Sequence, residues 1–199
     1  MPGSLPFLSL AFQRRFLLTG LFFIVVFQGY SQLREIFPLQ TNWKFAKGPQ
    51  PNAFQPDFDD SKWETVSIPH DWAIAGPFIP EADGNTAKLP WKGEGWYRYP
   101  LKWSASFNDK MVYLLFDGVM AFPEVYVNGI LAGRWDYGYN SFYLDITKFL
   151  QPGKQNIIAV HADTRQHDSR WYPGAGIYRK VQLITVYPVH VDIWGVQVT

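Results

Sequence analysis

The sequence predicts an all-β fold, a sandwich or a barrel, and three observations support that prediction. Short runs rich in β-branched and aromatic residues recur along the chain, and turn residues separate them at fairly regular spacing. The 199 residues include 16 Phe, 11 Tyr and 9 Trp, which supply enough apolar surface for a core and exclude a disordered chain. No long amphipathic helix pattern is present, so helical bundles and nucleotide-binding α/β folds are excluded.

The first 31 residues are predicted to be a secretory signal peptide that precedes the fold. Arg14 and Arg15 come before the apolar run 16–27, and small polar residues follow at 29–31. A helix of that run would rise about 18 Å, whereas the hydrocarbon core of a membrane is about 30 Å thick. We therefore expect export to the periplasm or the medium without a stable membrane anchor. A retained N-terminal anchor is the alternative.

Eight strands are predicted after this leader. They are residues 65–68, 96–103, 110–116, 124–127, 130–132, 156–162, 178–186 and 189–198. The clearest local prediction is the hairpin between the fourth and fifth strands, because Asn128 and Gly129 both accept the positive φ of a type I′ turn.

Three other segments are predicted to lie outside the strands. Residues 145–150 allow at most one helical turn, which Pro152 and Gly153 would end. Residues 49–62 and 76–95 are rich in Pro, Gly and Asp, which predicts long surface loops.

Composition excludes several classes of function. The absence of cysteine excludes disulfides, thiolate nucleophiles and Cys-ligated zinc. The chain has 18 basic and 17 acidic residues and a formal charge of +1, so we expect no nucleic-acid partner. No glycine-rich loop opens a helix, and we expect no cofactor.

Four stretches resemble one specific family. They are SIPHDWAI (67–74), GEGWYR (93–98), LLFDGVMAFPEVYVNGILAG (114–133) and SRWYPGAGIYRKVQL (169–183). In this order and at this spacing they resemble the N-terminal sugar-binding domain of glycoside hydrolase family 2, the β-galactosidase, β-glucuronidase and β-mannosidase group. The resemblance covers nearly all of residues 36–199. It implies a jelly-roll β-sandwich of the galactose-binding-domain type over residues 32–188.

The resemblance also implies that the catalytic part of the enzyme lies elsewhere. Family members continue through an immunoglobulin-like sandwich into a (β/α)₈ barrel that carries two catalytic glutamates. Residues 189–199 resemble the start of that second domain. Retaining glycosidases need two carboxyl groups about 5 to 5.5 Å apart, and no Glu of this chain follows an Asn as the family's acid/base does. We therefore expect a fragment without catalytic residues that is inactive alone.

Asp168, Arg170 and Trp171 are the candidate sugar-binding residues. A carboxylate accepts hydrogen bonds from sugar hydroxyls, a guanidinium donates them, and a flat aromatic ring covers C–H patches. In β-galactosidases of the family, an acidic residue just upstream of the corresponding Trp reaches the substrate pocket, and Asp168 matches it best. The loop is longer here than in the best-known bacterial enzymes. The alternative is that Arg170 pairs with Asp163 or Asp168 and that the aromatic rings pack inward.

Two further groups of residues allow functional or structural interpretations. His70 and Asp71 could pair at a site, but the favoured interpretation is structural, with Asp71 capping loop N–H groups and Trp72 packed in the core. Side chains of the histidines and aspartates between 161 and 168 offer nitrogen and oxygen ligands. No closed set of four ligands is evident there, so no metal site is predicted.

Three functions follow from the sequence. The first is the non-catalytic, sugar-binding first domain of an exported family 2 glycosidase, with a β-linked carbohydrate and the downstream domains as its partners. The second is a stand-alone carbohydrate-binding module. The third is a protein-assembly sandwich that binds no sugar.

Overall fold

The computed structural model describes residues 34–198 apart from 83, 85, 86, 91 and 167–170. The predicted signal peptide lies outside the described residues, so it stays a prediction. Among the helices of the described part, none has the length and apolarity needed to cross a membrane.

The described part of the chain contains ten β-strands. They are β1 (Glu35–Pro38), β2 (Trp43–Lys47), β3 (Glu64–Val66), β4 (Glu94–Lys102), β5 (Met111–Phe116), β6 (Glu124–Val127), β7 (Ile130–Arg134), β8 (Phe142–Asp145), β9 (Gln155–Asp163) and β10 (Val181–Val186). The described residues also form 3₁₀ turns at Ala105–Phe107 and Thr147–Phe149.

The strands form two antiparallel sheets, which confirms the predicted all-β sandwich. The six-stranded sheet has the order β3-β2-β4-β9-β6-β7, and the four-stranded sheet has the order β1-β10-β5-β8. Strands β4 and β9 pair along their whole length, from Glu94 opposite Asp163 to Lys102 opposite Gln155. This long pair brings Glu94 and Asp163 to the same end of the sandwich.

The core lies between the sheets because alternate residues of each strand point inward. Trp43 of β2, Tyr97 of β4, Leu114 and Phe116 of β5 and Ile158 of β9 are all fully buried there. Burying side chains of this size contributes roughly 1.5 to 3 kcal/mol each.

A buried arginine binds residues 53–60, which lie over the outer face of the six-stranded sheet. Arg98 on β4 is only 2% exposed, and its Nε donates to Asp60 Oδ2 at 2.7 Å. Its Nη atoms donate to backbone carbonyls of the same loop, including those of Ala53 and Gln55. The loop therefore covers Trp96, which packs with Ala53 in a small apolar cluster.

The hairpin and the helical turn are confirmed. Asn128 and Gly129 have φ values of 51° and 84°, as a type I′ turn requires. The predicted turn within 145–150 is the 3₁₀ turn Thr147–Phe149. Strand β10 begins at Val181 instead of residue 178.

Three strands, β1, β2 and β8, were not predicted. Each has only four or five residues, so each gives a weak periodic signal.

The predicted strand at 189–198 is wrong. The guanidinium of Arg34 donates to the carbonyls of Val191 and Asp192 at 2.6 and 2.9 Å, and Gly195 N donates to Asp192 O in a turn. These carbonyls therefore accept hydrogen bonds from Arg34 and from a turn, and not from a neighbouring strand. Ile193 packs on the outer face of the four-stranded sheet, in a cluster with Tyr113 and other side chains.

Candidate functional site

The candidate sugar-binding residues follow β9 in the sequence. Asp168 and Arg170 lie outside the described residues, so their contacts stay predictions. Trp171 is described, and 73% of its surface is exposed. An exposure this high does not fit the alternative that its ring packs inward.

A network of charged side chains lies immediately before these residues. Arg165 forms a bidentate ion pair with Asp163, with Nε–Oδ1 and Nη2–Oδ2 distances of 2.9 and 2.6 Å. Its Nη1 lies 3.1 Å from Glu94 Oε1, and the other Glu94 oxygen is 2.9 Å from His161 Nε2. The hydrogen bonds from Arg165 hold the pKa of Asp163 below its usual value. Arg165, therefore, is the arginine that pairs with Asp163 in the described structure.

A second set of contacts lies immediately after the candidate residues. The hydroxyl of Tyr172 donates to Asp71 Oδ2. The other carboxylate oxygen, Oδ1, accepts from the backbone N–H groups of Ala73 and Ala175 at 2.8 and 3.1 Å. Burial and the hydrogen bond to Asp71 raise the pKa of Tyr172. Asp71 thus joins residues 71–73 to residues 172–175.

The structural interpretation of His70 and Asp71 is confirmed. Asp71 caps two backbone N–H groups, and Trp72 is buried against Phe45 with ring centroids 5.7 Å apart. His70 Nδ1 lies 2.8 Å from the Tyr97 hydroxyl. Burial lowers the pKa of His70, which favours a neutral imidazole as the partner of that hydroxyl.

Sequence analysis missed a group of four tyrosines beside these contacts. We define the tyrosine platform as Tyr137, Tyr139, Tyr172 and Tyr178. The Tyr139 hydroxyl donates to Tyr172 O, and the Tyr178 hydroxyl donates to Gly138 O, both at 2.9 Å. The run Tyr-Gly-Tyr at 137–139 is the sequence signal that could have pointed to it.

Metal-binding geometry is not evident in the described part of the chain. There, no three His, Asp or Glu side chains converge as metal ligands. His161 and Asp163 share the outer face of β9, while Ala162 between them is fully buried. Both side chains are engaged with Glu94 and Arg165.

Comparison with known proteins identifies the family. The family model described as glycosyl hydrolases family 2, sugar binding domain, matches residues 36–187, which include nine complete strands and most of the first. The chain belongs to this family.

Individual members of family 2 are similar to this chain in sequence and in structure. A β-galactosidase of Bacteroides ovatus is 41% identical over 169 residues, which are 83% of this chain and 20% of that enzyme. A crystal structure of a β-glycosidase from Bacteroides vulgatus superposes with a TM-score of 0.75 at 37% identity, covering 79% of this chain and 21% of that one. A β-glucuronidase of Bacteroides uniformis has a TM-score of 0.69 at 29% identity, covering 78% of this chain and 18% of that one.

The family 2 relatives are much longer than this chain. The sugar binding domain spans about a fifth of the β-galactosidase and of the two solved enzymes. The candidate residues 168, 170 and 171 lie within the segment that the sugar binding domain model matches.

Proposed function

We propose that this chain is the non-catalytic, N-terminal sugar-binding domain of an exported family 2 glycosidase of the β-galactosidase type. In this proposal, Asp168, Arg170 and Trp171 bind a β-linked sugar themselves, and the downstream catalytic domain adds further contacts to the same sugar. The observation that carries it is the restraint of both flanking segments. Arg165 is held by Asp163 and Glu94, and Tyr172 is held by Asp71.

The restraint of the segments on either side favours binding, because ordering a flexible site would cost binding free energy. Arg165 and Tyr172 lie on either side of the candidate residues and are each tied to a β-strand or to a capped loop. The exposed ring of Trp171 supplies an apolar face, and Asp168 and Arg170 would supply an acceptor and donors. Together these are the groups that a polyhydroxylated ligand requires.

The same proposal covers three structural features. In it, the two sheets are the halves of a jelly roll of the galactose-binding-domain type, and residues 1–31 direct export as a signal peptide. Residues 189–199 lead into a following immunoglobulin-like domain, although 189–198 do not form a strand here.

Titration with methyl β-galactoside, methyl β-glucuronide and methyl β-mannoside tests the sugar contact. We expect saturable binding of at least one of them, and we expect Asp168→Ala and Arg170→Ala to weaken it by about tenfold or more. Asp57→Ala is the matched control, because Asp57 is an exposed carboxylate on another loop. Wild-type affinity in both site variants would refute the assigned contacts.

Enzyme assays test the non-catalytic part of the proposal. The purified chain should not hydrolyse chromogenic β-galactosides, β-glucuronides or β-mannosides. Turnover that persists through purification would overturn it. Sequencing the gene beyond codon 199 separates the proposal from a stand-alone carbohydrate module, because only an enzyme domain continues into a barrel with an Asn-Glu acid/base.

A further inference from the structure

We propose that the tyrosine platform is a second sugar-contacting surface, on which Tyr137 stacks against the C–H face of a pyranose ring. This inference rests on the proposed function, because it adds a contact to the same site. Tyr137 is 59% exposed, and Tyr139 beside it is joined to Tyr172, the residue that follows Trp171. The platform therefore includes the residue that directly follows Trp171.

The platform is held rigidly by reciprocal hydrogen bonds between two segments. Tyr139 donates from residues 137–139 to the carbonyl of Tyr172, and Tyr178 donates back to the carbonyl of Gly138. The rings of Tyr172 and Tyr178 pack with centroids 5.2 Å apart. These bonds fix the backbone on the C-terminal side of Tyr137 and the rings next to it, so less conformational entropy is lost when a ligand covers this surface.

Close packing of the backbone around these rings adds to the restraint. A Cβ atom at Gly118 would lie 2.9 Å from the ring of Tyr178, and one at Gly138 would overlap the side chain of Met120. Neither position has room for a side chain. Glycine at both positions lets the two segments approach each other and the tyrosine rings.

The chemistry of the platform suits a sugar. The hydroxyls of Tyr139, Tyr172 and Tyr178 are directed to protein acceptors, and the Arg179 guanidinium lies over the ring of Tyr178. The surface that the platform offers to a ligand is therefore the exposed ring of Tyr137. The ring of Tyr137 packs beside Tyr139 with centroids 5.6 Å apart. Asp136 is exposed and forms no ion pair with another described residue, so its carboxylate is available to accept hydrogen bonds from hydroxyls. An exposed aromatic ring and a carboxylate on consecutive residues supply the apolar face and the acceptor that sugar binding uses.

Substitutions of Tyr137, tested with the methyl glycoside that the wild-type chain binds best, distinguish stacking from other roles. We expect Tyr137→Ala and Tyr137→Leu to weaken binding about tenfold, because both lack a flat ring. Tyr137→Phe should bind within about twofold of wild type, since it keeps the ring. Tyr187→Ala is the matched control, because Tyr187 is also exposed but lies beside Lys110 at the end of β10. The thermal midpoint of each variant is measured alongside.

The outcomes separate this inference from the function on which it rests. If Asp168→Ala abolishes binding while Tyr137→Ala and Tyr137→Leu bind as wild type does, the platform is not a sugar contact and the proposed function stands. If Tyr137→Phe is as weak as Tyr137→Ala, the hydroxyl is what matters and stacking is wrong. If the wild-type chain binds none of the three methyl glycosides, both proposals fail.

Discussion

Tyr172 donates a hydrogen bond from its hydroxyl to the carboxylate of Asp71, 101 residues earlier in the chain. The second oxygen of the same carboxylate accepts from the N–H groups of Ala73 and Ala175. One buried side chain thus satisfies two backbone donors and orients an aromatic residue next to the candidate sugar site. Its loss should affect both stability and binding.

Asp71→Ala should lower the free energy of unfolding by about 2 to 4 kcal/mol, because it leaves two buried N–H groups and a tyrosine hydroxyl without an acceptor. Tyr172→Phe should cost only about 1 kcal/mol, since it removes one hydrogen bond. Urea unfolding measures both, with Asp57→Ala as the exposed control. Equal midpoints for Asp71→Ala and the control would show that the cap contributes nothing.

Arg98→Lys should destabilise the chain by roughly 2 kcal/mol or more, although it keeps the charge. An ammonium has three donors in a compact group and cannot reach the carboxylate and the carbonyls that the guanidinium now binds. Thermal unfolding should show the loss. Arg134→Lys, at an ion pair whose arginine is 62% exposed, should change stability by less than about 0.5 kcal/mol. Similar shifts in the two variants would contradict this role for Arg98.

Stability should fall as the pH is lowered from 7 to 5, in part because of His70. Burial lowers the pKa of His70 below 6.5, so in this range the unfolded chain binds a proton that the folded chain resists. Above pH 7 the imidazole is neutral in the folded and the unfolded chain, so its contribution to the free energy of unfolding no longer changes with pH. His70→Gln should flatten the dependence of the unfolding free energy on pH. Parallel curves for wild type and His70→Gln would contradict the assignment.

Asn128→Gly should destabilise the hairpin even though glycine adopts the required φ. The Asn128 side chain donates to Phe149 O and Asn156 Oδ1 at 2.8 and 2.7 Å, and it accepts from Ile157 N at 2.9 Å. Losing these contacts should cost about 2 to 3 kcal/mol in the free energy of unfolding. Asn52→Gly is the control, since Asn52 also has a positive φ, of 67°, in an exposed turn. It should be neutral within about 0.5 kcal/mol, and a larger loss there than at Asn128 would refute the prediction.

Local patterns in the sequence predicted those parts of the fold that local chemistry determines. Asn128 and Gly129 specify a turn whatever surrounds them, and the long strands β4 and β9 carry enough residues for their composition to be recognised. Strands β1 and β2 are shorter and depend on their partners in the sheets. The segment 189–198 alternates like a strand, but the interaction of its carbonyls with Arg34 is a long-range contact that no local pattern shows.

The candidate site was predicted only in part for the same reason. The residue types at 168–172 and the family resemblance pointed to a sugar contact. The restraints on either side do not follow from local sequence, because Arg165 meets Glu94 and Tyr172 meets Asp71 across the fold. Tyr137 and Tyr139 lie 29 to 34 residues before the candidate residues in sequence, and the fold brings Tyr139 to Tyr172, the residue after Trp171.

The central claim is that the end of the sandwich bearing Trp171 and the tyrosine platform binds a β-linked sugar. Its most direct test is a titration of the isotope-labelled chain with the three methyl glycosides, followed by the backbone amide resonances. The account predicts saturable shifts for at least one sugar, concentrated in residues 134–141 and 163–178. Shifts confined to the outer faces of the two sheets, or no saturable shift with any of the three sugars, would contradict it.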